Sequence, residues 1–98
     1  MRVTVADVVA VPPVEVVAAR VHALLTDHLH LDAASVDTDL IDGGLLDSFA
    51  MVELMAAIEE HLGVEIDLGS FDVDDFRSAR SIAALIVRQD PGAAGRSA

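Results

Sequence analysis

The chain passes from loop to helix at the stretch Gly43-Gly44-Leu45-Leu46-Asp47-Ser48-Phe49. Asp and Ser are favoured at helix starts because their side-chain oxygens accept hydrogen bonds from backbone N–H groups that the helix leaves unpaired. Asp47 and Ser48 therefore predict the beginning of a helix, with the hydroxyl of Ser48 exposed at its N-terminus. Gly43 and Gly44 supply the backbone freedom for a tight turn just before that helix.

The helix that begins at this stretch is predicted to run from about Ser48 to Leu62. Five apolar side chains repeat at helical spacing on its inward face: Met51, Leu54, Met55, Ile58 and Leu62. Its outer face carries acidic residues beside two apolar ones: Glu53, Glu59, Glu60, Val52 and Ala56. Gly63 is expected to end the helix in the left-handed conformation.

The rest of the chain predicts an all-α fold, a small four-helix bundle with a long first loop and a short third helix. The other helices are expected over residues 13–29, 71–76 and 78–89, with an extended linker over residues 64–68. The loop from Leu31 to Asp47 must be pinned to belong in a compact domain, so Leu40 and Leu46 are expected to enter the core. The predicted core includes Val17, Val21, Leu24, Leu46, Leu54, Ile58, Leu62, Ile82 and Leu85.

Composition indicates one small domain, since the chain has 98 residues. Residues 13–89 form the predicted folded part, residues 1–12 an extended or disordered extension, and residues 90–98 a disordered tail. The chain lacks cysteine, a secretory signal pattern and a membrane-length apolar run, so a cytoplasmic protein without a membrane partner is expected. The protein is expected to be a monomer. A net charge of −11, with no Trp or Tyr, argues against nucleic acid as a partner.

Acidic residues are concentrated in one segment of the chain. Between Asp37 and Asp75 there are twelve Asp and Glu residues and no Lys or Arg. Such a segment could be a solvated face. It could also dock against basic partners and steer their approach, and its position around Ser48 favours this second interpretation.

Three kinds of chemical site fit the residues poorly. His28 and His30 are two positions apart, which a helix does not place on one face, and no Cys accompanies them, so no metal site is predicted. A calcium loop counted from Asp37 would place Ile41 at its fifth position and Ser48 where Glu is required. Ser48 also lacks the Gly-x-Ser-x-Gly frame of a hydrolase nucleophile, so the chain is not expected to be an enzyme.

The segment Asp39-Leu40-Ile41-Asp42-Gly43-Gly44-Leu45-Leu46-Asp47-Ser48-Phe49-Ala50-Met51-Val52-Glu53-Leu54 resembles the modification site of acyl and peptidyl carrier proteins. The resemblance extends from about Val14 to Val87 and implies the same four-helix fold, with residues 13–89 as the carrier domain. It implies that a phosphopantetheinyl transferase moves 4′-phosphopantetheine from coenzyme A onto Ser48, and that Asp47 takes part in recognition by the transferase. The arm would then hold its cargo as a thioester.

A docking surface for partner enzymes is expected beside Ser48, because an enzyme that receives the arm there must approach this part of the helix. It comprises Phe49, Val52, Glu53, Ala56, Glu59 and Glu60, and Phe49 stands where the family usually has Leu. The frame is most similar to discrete aminoacyl carriers, which implies an adenylating or acyltransferase loading enzyme and a role in natural-product (nonribosomal peptide or polyketide) biosynthesis. Two alternatives stay open: a carrier for fatty-acid synthesis, and an acidic helical adaptor that binds a basic partner and is never modified.

Overall fold

The computed structural model describes residues 13–67, 69, 72–90 and 92. The predicted extension over residues 1–12 lies outside this part of the chain, and so do residues 91 and 93–98 of the predicted tail. Phe71, with which the short third helix was expected to begin, is also outside it.

The described residues form three helices and one 3₁₀ turn, and none of them is in a strand. Helix α1 spans Pro13–Ala23 and continues as a π turn over Leu24–His28. Helix α2 spans Ser48–Leu62, the 3₁₀ turn spans Val73–Phe76, and α3 spans Ala79–Gln89. The all-α prediction is confirmed, and the bounds of α2 match the sequence pattern.

The predicted short third helix is only the 3₁₀ turn of four residues. The backbone N–H of its N-cap residue, Asp72, donates to the Asp75 carboxylate over 2.9 Å. The next cap follows at once, because the Ser78 hydroxyl accepts from the N–H of Ser81 over 3.1 Å and starts α3. The two caps leave room for a single turn between them, so a full third helix does not form here.

The first helix loosens into a π turn at its C-terminal end. The N–H of Leu29 donates to the carbonyl of Leu24, five residues earlier, over 3.0 Å. Because a π turn holds more residues than an α turn, the side chains that follow are rotated about the axis. His28, which a continuous α-helix would place on the inward side one turn after Leu24, is therefore exposed, while Leu24 and Leu25 are buried.

The core is built from apolar side chains of every element and of the long loop. All nine residues predicted for it are buried. Leu40 is fully inaccessible and Leu46 is 6% exposed, so both loop residues enter the core as expected. Val64 and Ile66 of the linker and Phe76 of the 3₁₀ turn complete it.

The long loop is fixed against the C-terminal part of the domain by backbone hydrogen bonds. The N–H of Leu40 donates to the carbonyl of Arg77 over 2.7 Å, and the N–H of Arg80 donates to the carbonyl of Val36 over 2.9 Å. The loop therefore has two anchor points on the segment that opens α3, in addition to its buried leucines.

The Arg77 guanidinium adds an ionic anchor to the same loop. It contacts the carboxylates of Asp39, Asp42 and Asp74 at 3.1, 3.2 and 2.8 Å. The Asp39 carboxylate also accepts from the N–H groups of Asp42 and Ile41 over 2.8 and 3.0 Å. The N–H of Asp42, with Arg77 and Ile41 adding to it, lowers the pKa of Asp39.

Candidate functional site

The start of α2 is organised by the side chain of Asp47. Asp47 has extended backbone dihedrals, and its Oδ1 accepts from the N–H of Ala50 over 2.8 Å. Asp47 is therefore the N-cap, and Ser48 is the first residue of the helix. Ser48 is exposed, and no other described residue hydrogen-bonds to its hydroxyl, which leaves that oxygen accessible to a reaction partner.

The turn before Asp47 depends on both glycines. Gly44 has a φ of +72°, and its N–H donates to the carbonyl of Ile41 over 3.0 Å. A Cβ on Gly43 would lie 2.8 Å from the carbonyl oxygen of Asp39, closer than side chains tolerate. The turn leads directly into buried Leu46, two residues before Ser48, so core packing sets the position of the serine.

The N-terminal end of α2 carries partial positive charge and can therefore bind an anion. The first N–H groups of a helix have no intrahelical acceptor, and the helix macrodipole adds a partial positive charge there. Among the described residues, the N–H of Ala50 is the one donor to the Asp47 carboxylate. The N–H groups of Ser48 and Phe49 can therefore donate to an anion bound beside the serine.

The outer face of α2 combines exposed apolar and acidic side chains. Phe49 is 73% exposed and Val52 is 65% exposed, and their spacing of three places them on one side of the helix. The four other predicted docking residues are also exposed: Glu53, Ala56, Glu59 and Glu60. All six thus lie on the accessible side of the helix that Ser48 begins.

One exposed apolar residue was missed by the sequence reasoning. Val73, on the 3₁₀ turn, is 59% exposed. The sequence signal for its exposure was that Val73 stands between Asp72 and the pair Asp74 and Asp75. A residue of a turn that faces the core would not be expected to have three acidic neighbours.

Residues 19–86 match the sequence model of the family described as "Phosphopantetheine attachment site". The matched span includes the long loop, the Asp47 cap, α2 and most of α3. The chain belongs to this family of phosphopantetheine carrier domains. It is a carrier protein that bears 4′-phosphopantetheine, and it is not an enzyme. The resemblance found in the sequence is thereby confirmed.

A curated relative supports the same assignment. The carrier chain is 35% identical over 60 residues to the D-alanyl carrier protein of Streptococcus mutans serotype c, and the match covers 59% of this chain and 76% of the relative. As a member of the family, this carrier is a substrate of phosphopantetheinyl transferases and of loading enzymes. The unmodified adaptor considered from the sequence does not account for this match.

The described helices of this carrier include none that is long and apolar enough to cross a membrane.

Two histidines of the first helix, His22 and His28, have different surroundings. Nε2 of His22 is 2.7 Å from the carbonyl oxygen of Ala33, whereas His28 lies beside His61 at the far end of α2.

Proposed function

We propose that Ser48 is the attachment residue and that the chain carries an acyl or aminoacyl unit as a thioester on the arm. The observation that supports this most directly is the exposed Ser48 hydroxyl, with no other described residue bonded to it, at the N-terminus of α2 and inside the matched family span. The chain holds a tethered cargo close to each enzyme that docks, which raises the effective concentration of the cargo there.

The attachment step is a phosphoryl-group transfer from coenzyme A. The oxygen of Ser48 forms a bond to the phosphorus next to the pantetheine, and the bond from that phosphorus to the adenosine phosphate portion breaks. The hydroxyl proton leaves with the help of the transferase, and the adenosine bisphosphate is released. The product is a phosphodiester anion at a helix N-terminus, where N–H groups and the macrodipole stabilise negative charge.

Asp47 is proposed to be recognised by the transferase. Its Oδ1 accepts from the helix backbone, yet the residue is exposed, so part of the carboxylate can meet a partner. A basic group on the transferase would approach it immediately beside the reacting hydroxyl.

The docking face is proposed to consist of Phe49, Val52, Glu53, Ala56, Glu59 and Glu60. These residues follow Ser48 on the exposed side of α2, and an enzyme that receives the arm must approach this region. The negative charge fits partner surfaces rich in Arg and Lys. Exposed Phe49 and Val52 provide an apolar contact of the kind that holds a complex together.

The cargo is proposed to be an amino acid or a related acyl unit, loaded by an adenylating or acyltransferase enzyme for natural-product biosynthesis. The relative named as a D-alanyl carrier protein and the aminoacyl-carrier frame of the sequence support this choice over fatty-acid synthesis. Mass spectrometry of the native protein, read at Ser48, would identify the cargo. A fatty acyl chain on the arm would favour the alternative.

Attachment at Ser48 is tested with coenzyme A and a broad-specificity phosphopantetheinyl transferase. The wild-type chain is expected to gain the mass of one phosphopantetheine group. Ser48→Ala is expected to fold, as judged by circular dichroism, and to gain none. Ser35→Ala, which removes another exposed hydroxyl, is the matched control and should be modified fully. Modification of a folded Ser48→Ala chain would show that the attachment residue lies elsewhere.

A further inference from the structure

A second cluster of functional groups lies at the end of α2 opposite Ser48. It contains His28 from the π turn and Glu60 and His61 from the last turn of α2. The rings of His28 and His61 meet edge to face with their centroids 4.9 Å apart. Nε2 of His61 is 3.7 Å from Oε1 of Glu60. One potential ligand atom from each residue lies within 4.8 Å of the other two.

No spacing of residues in the sequence indicates this cluster. The histidine spacing that argued against a metal concerned His28 and His30, which are neighbours in the chain. The structure instead pairs His28 with His61, which lies 33 positions further along the sequence. The π turn makes this possible, because it rotates the His28 side chain out of the core stripe and toward the end of α2.

We propose that His28, Glu60 and His61 bind a transition-metal dication, with Zn²⁺ as the best match. Two imidazoles and one carboxylate form a ligand set that suits Zn²⁺, and a water molecule can take the fourth position. Ligand bonds of about 2.0–2.2 Å place tetrahedral ligand atoms about 3.4 Å apart. Nε2 of His61 and Oε1 of Glu60 are already near that separation, at 3.7 Å.

The distance from His28 to the other two ligand atoms can shorten to the tetrahedral value by side-chain rotation alone. His28 and Glu60 are exposed, and 42% of the His61 side chain is accessible, so none of the three is locked by packing. Glu59 is the next residue to Glu60, and the chain carries a net charge of −11. This charge lowers the energy of a bound dication and concentrates cations near the site.

A metal at this position would join two elements that the chain connects only through the long loop. It would link the end of the first helix to the end of α2, so metal binding would stabilise the folded domain. His61 is thirteen residues after Ser48 on one helix, which corresponds to about 20 Å. The metal site and the attachment of the arm can therefore be tested separately.

The test is isothermal titration of the purified, chelator-treated chain with Zn²⁺, accompanied by thermal melts. One Zn²⁺ per chain is expected, with a higher Tm. His28→Ala and His61→Ala should each weaken binding by roughly tenfold or more, since even the loss of a residue that only supports a metal ligand has an effect of that size. His30→Asn removes an exposed histidine and keeps a residue type that tolerates the positive φ of 58° at this position, so it should bind like wild type.

Two further measurements separate this site from diffuse binding to the acidic surface. Mg²⁺ prefers oxygen ligands, so its binding should be insensitive to the histidine substitutions. In NMR spectra of the wild-type chain, one equivalent of Zn²⁺ should shift the ring signals of His28 and His61 but leave those of His22 and His30 in place. This measurement needs no variant.

Several results would overturn the proposal. These are no saturable Zn²⁺ binding by the wild type, equal Zn²⁺ affinity in the double variant His28→Ala/His61→Ala, and ring shifts confined to other histidines. Arm attachment at Ser48 is measured on the same samples and should be unaffected in both single histidine variants, so a failed metal site leaves the proposed function standing.

Discussion

At the scale of single residues, Asp47 combines a structural contact with a proposed recognition role. Its carboxylate caps α2, and it stands immediately before Ser48. The capping bond needs an acceptor oxygen, whereas attraction to a basic transferase needs the negative charge. Substitutions that remove one property and keep the other can therefore distinguish the two roles.

We expect Asp47→Asn to keep the stability of the domain and to slow phosphopantetheine transfer. Asn caps helices about as well as Asp, whereas Ala at an N-cap costs about 0.5–2 kcal/mol. Asp47→Ala should therefore lower the free energy of unfolding by about that amount and also slow the transfer. Urea unfolding and single-turnover transfer rates measure the two effects. Transfer at the wild-type rate in Asp47→Asn would show that the charge is not recognised.

At the scale of elements, only some of the contacts that hold the long loop in place could be predicted from the sequence. Its buried leucines were predictable, because apolar residues in a polar loop need a place in the core. The ionic anchor was not, since Arg77 lies 38 positions beyond its partner Asp39 and no local pattern connects them. The π turn could not be predicted from the sequence either, because one wider turn barely changes the apolar repeat from which the helix is predicted.

The same loop should make the stability of the domain depend on the charge of Asp39. Its pKa is lowered in the folded state from an ordinary value of 3.8. The stability that the ionised carboxylate contributes is therefore fully present above that value, and it is lost as the pH falls through the lowered pKa. Asp39→Asn should be less stable than wild type near neutral pH, and the difference should shrink in acid.

Urea unfolding of wild type and Asp39→Asn at a series of pH values measures this difference. Asp32→Asn removes an exposed carboxylate of the same loop and is the matched control. A difference between wild type and Asp39→Asn that stays constant down to the acid limit would show that the ionised carboxylate does not contribute.

At the scale of the whole molecule, the separation of charge along the chain should govern how partners bind. Rim charges mainly set the association rate and its dependence on salt, whereas a buried apolar contact holds the complex. The proposed docking face of α2 contains both kinds of residue. The acidic segment and the amphipathic helix were visible in the sequence. The exposure of Val73 had only its three Asp neighbours as a sign, because it depends on how the 3₁₀ turn is oriented.

We expect Glu53→Arg and Glu60→Arg to slow loading by the cognate enzyme, with the loss shrinking as salt rises. Phe49→Ala and Val52→Ala should weaken loading with little dependence on salt. Loading kinetics at low and high salt measure both classes of variant.

The control for these variants needs the same change in net charge outside the docking face. Glu15 is unsuitable because it forms an ion pair with Arg80. Asp32 is exposed and lies outside α2, so Asp32→Arg is the better choice. Equal effects from Asp32→Arg and Glu53→Arg would mean that overall charge alone matters, and the docking face would not be a distinct surface.

The hydrogen bonds between the long loop and the start of α3 also bear on the order of events during synthesis. A ribosome releases Ser48 well before Arg77 and Arg80, yet the loop that positions the serine bonds to the backbone of both later residues. In a nascent chain the loop therefore lacks these two hydrogen bonds, and the position of the serine is not yet fixed, until α3 has emerged. If the transferase requires the completed turn, prosthetic-group attachment would be delayed until the domain has folded, and chains truncated before α3 would escape it.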